Sequence, residues 1–147
     1  MNQQWLMVKE FHQRFDHLVN DAPTLLTDEQ RRERYWFMYE ELQEFLNSSS
    51  VVDQADAMID LIYFALGTLV NMGVEPDGLF DIVHEANMSK LWPDGKPRWR
   101  EGDGKVLKPP TWVDPAPLLQ AEIERQENAA ASCDTGNWVS GLFRGEK

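Results

Sequence analysis

The chain has 147 residues, of which 42 % are hydrophobic, and a formal net charge of −11. This length suits one compact domain with its own core, whereas the negative charge excludes a protein that coats nucleic-acid polymers through clustered Lys and Arg. The single cysteine, Cys133, excludes an internal disulfide framework and is typical of a reducing compartment. No segment has the pattern of a signal peptide or a membrane span, so we expect a soluble cytoplasmic protein without a membrane partner.

Two helices are predicted in the first third of the chain. The first covers about 3–19, where apolar residues recur at every third or fourth position. The second covers about 28–47 and begins at a capping box formed by Thr27 and Gln30.

Two more helices follow. The third covers about 51–72 from a weaker start signal at Ser50, and apolar residues surround it almost completely, as expected for a helix at the centre of a bundle or in an oligomer interface. Gly73 is expected to end it, and the fourth helix covers about 76–90, with Pro76 at its start.

The last part of the chain has a different composition. Residues 92–117 contain six prolines and three glycines, which predicts an ordered loop, and a short helix is expected at about 117–130. The predicted fold is all-α: a four-helix bundle-like core, a Pro/Gly-rich basic C-terminal extension and a short final helix. We expect one domain over residues 1–130 and a loose tail over residues 131–147.

Carboxylates are concentrated on the second and third helices. Residues 35–89 contain ten Asp and Glu but no Lys or Arg. Because helical residues three or four apart share a face, each of the two helices is predicted to carry an acidic stripe on an otherwise apolar surface. The stripes consist of Glu40, Glu41 and Glu44 on the second helix and Asp53, Asp56 and Asp60 on the third.

Such stripes need a positive charge if they face inward. Burial of an unpaired carboxylate costs several kcal/mol, and neighbouring carboxylates raise each other's pKa. Mg²⁺ or Mn²⁺, which prefer carboxylate oxygens, would supply the charge, and the lack of histidine among the six acids argues against Zn²⁺. The alternative is that both stripes are solvated outer faces of an acidic bundle.

Basic residues are concentrated further along the chain. Residues 96–108 contain five Lys and Arg against two acids, and Lys90 follows Asn87 by one helical turn. A polyphosphate is typically bound between a carboxylate-held metal ion on one side and Lys or Arg side chains on the other. Each basic residue taken alone is more easily interpreted as a surface charge, and Lys90 is the favoured candidate.

Three motifs resemble one enzyme superfamily. "YEELQEF", "DQADAMIDLIYFALGTLVNMGV" and "VHEANMSKLWPDGKPRWREGDGKVLKPPTW" resemble the all-α nucleotide pyrophosphohydrolases, which include MazG-like proteins, phosphoribosyl-ATP pyrophosphohydrolase and the dimeric dUTPases. The resemblance covers about residues 30–114. It implies a homodimer or homotetramer that binds Mg²⁺, with Mn²⁺ as a possible substitute, through acids on two helices.

The resemblance also implies roles for the acids. Glu41 and Glu44 would be metal ligands, and Glu40 would orient or deprotonate the attacking water. The superfamily's second motif is often ExxD, and this chain departs from it because Ala57 lies three residues before Asp60. The favoured ligands from this helix are then Asp56 and Asp60, and the role of Asp53 stays open.

The implied reaction is hydrolysis of a nucleoside triphosphate between the α- and β-phosphates, which releases a monophosphate and pyrophosphate. Asn87 and Lys90 match positions that resemble phosphate contacts, with Lys96, Lys105 and Lys108 as weaker candidates. An aromatic residue such as Trp92 or Trp112 could stack on the base, although packing of a proline-rich loop is the preferred interpretation of both.

Two other functions are compatible with a helical chain of this kind. A di-iron or di-manganese bundle normally needs two Glu-x-x-His motifs, and only Asp81-Ile-Val-His84 approximates one; His84 is better interpreted as a surface or packing residue. A non-catalytic adaptor that dimerises through the third helix is the second alternative.

Overall fold

A computed structural model describes residues 1–139 of the chain, with side chains up to Ser132. These residues form five helices, and the one β-bridge among them joins Trp99 to Val106. The all-α prediction with a helical bundle-like core is confirmed. The helices are α1 (Asn2–Arg14), α2 (Asp28–Asn47), α3 (Val51–Met72), α4 (Pro76–Met88) and α5 (Ala116–Val139).

The chain divides into two compact units. Unit 1 contains Met1–Pro76 together with the chain from Gln126 onward, and unit 2 contains Asp77–Arg125. In unit 1, α3 packs against both α1 and α2. The hydrophobic core of unit 1 consists of Trp5, Val8, Leu66 and Val70.

The starts of α2 and α3 follow from their capping residues. The Thr27 hydroxyl accepts a hydrogen bond from the Gln30 N–H at 3.2 Å, and the Gln30 side chain accepts one from the Thr27 N–H at 2.8 Å. The Ser50 hydroxyl accepts a hydrogen bond from the Asp53 N–H at 3.1 Å. Both helices therefore begin and end at the predicted residues.

The end of α3 is fixed by Gly73, as predicted. Its φ of 67° lies in the left-handed region, and its N–H donates to the Val70 carbonyl at 3.0 Å. A Cβ at this position would lie 2.3 Å from the Ala22 carbonyl oxygen. Only glycine combines this backbone conformation with so close an approach.

The predicted extent of α1, 3–19, is wrong at its C-terminal end, because the helix stops at Arg14. Asp16 adopts a φ of 56°, which turns the chain out of the helix. The Leu18 carbonyl then accepts hydrogen bonds from Asn71 Nδ2 at 2.6 Å and pairs with His12 Nδ1 at 3.1 Å. The hydrogen bond from Asn71, 53 residues away, outweighs the local helical periodicity.

By length and composition, α3 alone among the described helices could cross a membrane. The expectation that no segment spans a membrane rests on the apolar run of residues 61–74, which is too short for a span and follows directly on Asp56 and Asp60. This composition is weak evidence, since core helices of soluble proteins share it, and the N-terminal half of α3 carries three aspartates.

Unit 2 contains α4 from Asp77, the proline-rich segment and the start of α5. Trp112 Nε1 donates to the Ala86 carbonyl at 3.0 Å, and the Val113 N–H donates to the Ser89 hydroxyl at 3.2 Å. The segment predicted as an ordered loop therefore packs on the end of α4.

The predicted bounds of the last two helices need correction. The fourth helix stops at Met88 rather than at residue 90, and the final helix begins at Ala116 and continues to Val139 rather than ending at residue 130. The expected loose tail is helical in its first nine residues, and residues 140–147 lie outside the described part of the chain. A single domain over residues 1–130 stays a prediction.

Candidate active site

The contact between α2 and α3 positions the acidic residues. A connection of three residues joins the two helices, so they run antiparallel, and the rings of Phe37 and Phe64 stack with their centroids 5.4 Å apart. Because the helices run in opposite directions, the residues after Phe37 in α2 face the residues before Phe64 in α3. This places Glu41 opposite the turn that carries Asp60.

Glu41 is the buried member of the predicted acidic stripes. Its side chain is 9 % exposed, and its Oε2 atom has no hydrogen-bond partner. Burial raises the pKa of its carboxyl group above the ordinary value, and repulsion from nearby carboxylates adds to that rise. In order of decreasing effect, those carboxylates are Glu44, Asp60, Asp56 and Glu40.

Acids from both helices therefore raise the pKa of the same buried carboxyl group. We call Glu40, Glu41, Glu44, Asp56 and Asp60 the acidic cluster. Apart from Glu41, its side chains are exposed and form a solvent-accessible rim. Asp53 is not among the groups that raise the pKa of Glu41, and its backbone N–H belongs to the cap of α3.

The acidic cluster fits a hard divalent cation by its chemistry. All of its donor atoms are carboxylate oxygens, and one buried oxygen lacks a partner. As the side chains stand, no three His, Cys, Asp or Glu residues within residues 1–132 are arranged to hold an ion. Binding would therefore require the exposed carboxylates to rotate toward Glu41, a small change for side chains on a solvent-accessible rim.

A second buried polar group, which was not predicted from the sequence, lies on the same helix pair. Arg34 is 8 % exposed and donates to the Phe64 carbonyl at 2.6 Å and to the Thr68 hydroxyl at 3.0 Å. Burial lowers the pKa of its guanidinium, which Glu33 partly offsets. The signal was present in the sequence, because Arg34 occupies an inward position seven residues before Glu41.

The other predicted site residues lie in unit 2. Lys90 Nζ donates to Asn87 Oδ1 at 2.6 Å, so these two candidates are in direct contact. Lys108 Nζ lies 3.3 Å from the ring centroid of Trp112. Among the described residues, Lys96 and Lys105 make no ion pair through their ammonium groups.

The two tryptophans considered for base stacking take part in local packing. Arg98 lies over the ring of Trp92 at 3.8 Å, and Trp112 is covered by Lys108 on one face and hydrogen-bonded to the Ala86 carbonyl. These contacts favour the packing interpretation. His84 is exposed, as expected, and so is Asp81.

The chain is similar to known pyrophosphohydrolases. Residues 8–87 match the family described as phosphoribosyl-ATP pyrophosphohydrolase. The chain is also similar to the crystal structure of a proposed NTP pyrophosphohydrolase from Exiguobacterium sp. 255-15, with 34 % identity and a TM-score of 0.51 over 86 % of this chain and 96 % of that one. A comparison with curated proteins found no match. The chain therefore belongs to the phosphoribosyl-ATP pyrophosphohydrolase family and is a pyrophosphohydrolase.

Proposed function

We propose that the enzyme hydrolyses a nucleoside triphosphate at the α–β phosphate bond in a Mg²⁺-dependent reaction. The observation that carries the proposal is the buried, unpartnered Oε2 atom of Glu41, which faces carboxylates of two helices. A protein that used these acids only for solubility would leave all of them in water. A buried carboxylate among like charges is unfavourable unless a cation joins it.

The acidic cluster would divide into ligands and a base. Glu41 and Glu44 of α2 and Asp56 and Asp60 of α3 would hold Mg²⁺, or Mn²⁺ in its place. When bound, the ion supplies charge stabilisation at the phosphoryl oxygens and acidifies water. Glu40, which is exposed on the rim, would accept a proton from the attacking water.

The bond changes balance without a further reactant. The water oxygen forms a bond to the α-phosphorus, and the bond between that phosphorus and the bridging α–β oxygen breaks. The electron pair leaves with pyrophosphate, and the proton released from the water goes to Glu40. The products are a nucleoside monophosphate and pyrophosphate.

Residues of unit 2 would bind the phosphates. Lys90 is the main candidate, because its contact with Asn87 holds the ammonium group in one orientation. Lys96 and Lys105 have exposed side chains with no ion pair among the described residues, so they are available to an anion. Lys108 would have to leave the ring of Trp112 to take part.

We also propose that the enzyme is a homodimer or homotetramer. The face of α2 opposite α3 exposes large apolar residues at spacings of four, three and four, the repeat of a helix–helix seam. A stable interface buries about 800 Å² per partner, and a row of this kind supplies much of that area. The residues are Tyr35, Tyr39, Leu42 and Leu46.

The oligomer can be tested with two matched variants. Leu42→Glu introduces a charge into the row on α2, whereas Leu25→Glu changes an exposed leucine in the loop before α2. Light scattering is expected to show a smaller assembly for Leu42→Glu and an unchanged mass for Leu25→Glu. A monomeric wild-type enzyme, or equal masses for both variants, would contradict the proposal.

The reaction can be tested with a panel of canonical and modified nucleoside triphosphates in the presence of Mg²⁺. We expect release of pyrophosphate and monophosphate, abolished by EDTA and by Asp60→Asn. Lys90→Ala is expected to raise the KM for the nucleotide more than it lowers kcat. Release of single phosphates instead of pyrophosphate, or full activity in Asp60→Asn, would refute the assignment.

A further inference from the structure

Arg34 is a buried cation without a buried anion. Among the described residues, no carboxylate lies within ion-pair distance of it, and its guanidinium lies 5.4 Å from the ring of Phe37 and 5.6 Å from that of Phe64. A position needed only for packing would favour an apolar residue, because burial of a charge is costly. The reason for an arginine has to lie in the geometry of its contacts.

Those contacts are directional and join α2 to one turn of α3. Arg34 Nη2 donates to the Phe64 carbonyl, and Nε donates to the Thr68 hydroxyl, four residues further along α3. The Thr68 hydroxyl also donates to the Phe64 carbonyl at 2.9 Å. A rotation or a shift of α2 by one residue would break both bonds to Arg34, because hydrogen bonds weaken steeply away from their preferred distances and angles.

The absence of a side chain at Gly67 of α3 leaves space for the Arg34 guanidinium. A Cβ at Gly67 would lie 2.8 Å from Arg34 Nη2 and 2.9 Å from His12 Nε2 of α1. The side chain of His12 is itself buried and is held by the Leu18 carbonyl. Three helices therefore meet at Gly67, with Arg34 from α2 fixed between them.

We infer that Arg34 is a positioning residue that sets the rotation and register of α2 on α3, and through them the approach of Glu41 to Asp56 and Asp60. Glu41 follows Arg34 by seven residues on the same face of α2, about 10 Å along the helix axis. In α3, Asp60 precedes Phe64 by four residues. The Arg34 contacts and the acidic cluster are thus about two turns apart on one antiparallel pair.

The Arg34 contacts are expected to affect metal affinity, and this part of the inference rests on the proposed function. A metal site requires ligand atoms held within a few tenths of an ångström. Since Glu41 is the one buried carboxylate of the cluster, the position of α2 decides where the exposed acids must converge. Loss of the Arg34 contacts should therefore weaken cation binding without removing any ligand.

The test compares Arg34→Met with Val8→Ala in the full chain. Val8 is buried between α1 and α3 and contributes no group to the acidic cluster, so Val8→Ala is a control for loss of stability alone. The first readout is Mn²⁺ affinity, measured from the free-ion electron paramagnetic resonance signal. We expect Arg34→Met to weaken affinity by about tenfold or more and Val8→Ala by no more than about twofold.

The second readout needs no metal. Hydrogen–deuterium exchange is expected to accelerate over residues 38–47 and 52–60 in Arg34→Met and to change little there in Val8→Ala. Equal Mn²⁺ affinity and equal exchange in the two variants would overturn the inference. If the wild-type chain binds no Mn²⁺, the proposed function fails, and the exchange result alone decides the role of Arg34.

A milder variant covers the case in which Arg34→Met does not fold. Thr68→Val keeps the volume of the side chain and removes one of the two acceptors. It is expected to change both readouts in the same direction and by less. A Thr68→Val chain that matches the wild type in both readouts would contradict the inference in that case.

Discussion

Replacement of the buried Glu41 by glutamine should stabilise the protein while abolishing its activity. In the folded chain the carboxylate is repelled by acids on both helices, and its Oε2 atom has no partner. A neutral amide removes the repulsion, and its NH₂ group can donate to Asp56 or Asp60. The variant loses a proposed metal ligand at the same time, so stability and activity should change in opposite directions.

The magnitude follows from the environment of Glu41. An unsatisfied buried polar group costs about 1–3 kcal/mol, and at this chain length each kcal/mol shifts the melting temperature by about 2–4 °C. Glu41→Gln should therefore raise Tm by roughly 2–12 °C at pH 7.5 without divalent ions. Glu127→Gln, which changes an exposed acid of α5, serves as the control and should leave Tm nearly unchanged.

The pH dependence of this stabilisation has a definite sign. Because the folded-state pKa of Glu41 lies above its ordinary value of 4.5, the native state binds the proton more tightly than the unfolded chain does. That stabilisation is complete below pH 4.5 and is lost as the pH rises through the folded-state pKa. The difference in Tm between Glu41→Gln and the wild type should therefore be small near pH 4 and grow toward pH 8.

Thermal unfolding across this pH range, with and without Mg²⁺, measures the effect. Mg²⁺ should stabilise the wild type and leave Glu41→Gln almost unaffected. A variant that is less stable than the wild type at pH 7.5, or a Tm difference that does not vary with pH, would refute the electrostatic account of Glu41.

Three further predictions concern the framework of unit 1. Gly73→Ala should lower the free energy of unfolding in urea by about 2 kcal/mol or more, because it combines a left-handed backbone with a clash at the Ala22 carbonyl. A loss under about 0.5 kcal/mol would contradict this. Gly67→Ala should lower the free energy of unfolding by about 1–3 kcal/mol, because its Cβ would meet Arg34 and His12. Alanine is otherwise the better helix former, so a more stable variant would show that the two side chains move aside freely. Burial lowers the pKa of His12 below 6.5, so the stability that depends on neutral His12 should be lost as the pH falls from 6.5 through the folded-state pKa. In urea unfolding, His12→Asn should lose less stability than the wild type between pH 7.5 and pH 5, and equal losses would contradict this.

Much of the fold followed from local signals in the sequence. The capping residues Thr27 and Ser50 and the terminator Gly73 act within a few residues of the helix ends they set, so the bounds of α2 and α3 could be predicted. The end of α1 could not be predicted, because it depends on the turn at Asp16 and on the contact of Leu18 with Asn71, 53 positions away.

The candidate site was predictable to a similar degree. Helical spacing indicated which carboxylates share a face, but only the packing of α2 on α3 shows that Glu41 is the buried one. The hydrogen bond from Arg34 to the Phe64 carbonyl could not be predicted, since a backbone acceptor on another helix leaves no mark in the order of side chains.

Acids of α2 and α3 are expected to bind the same divalent ion. An anomalous difference map from crystals grown with saturating Mn²⁺ tests it most directly. We expect a peak within ligand distance of Glu41 and of at least one of Asp56 and Asp60. A peak bound by one helix alone, or no peak at the acidic cluster in crystals of an active enzyme, would contradict the account.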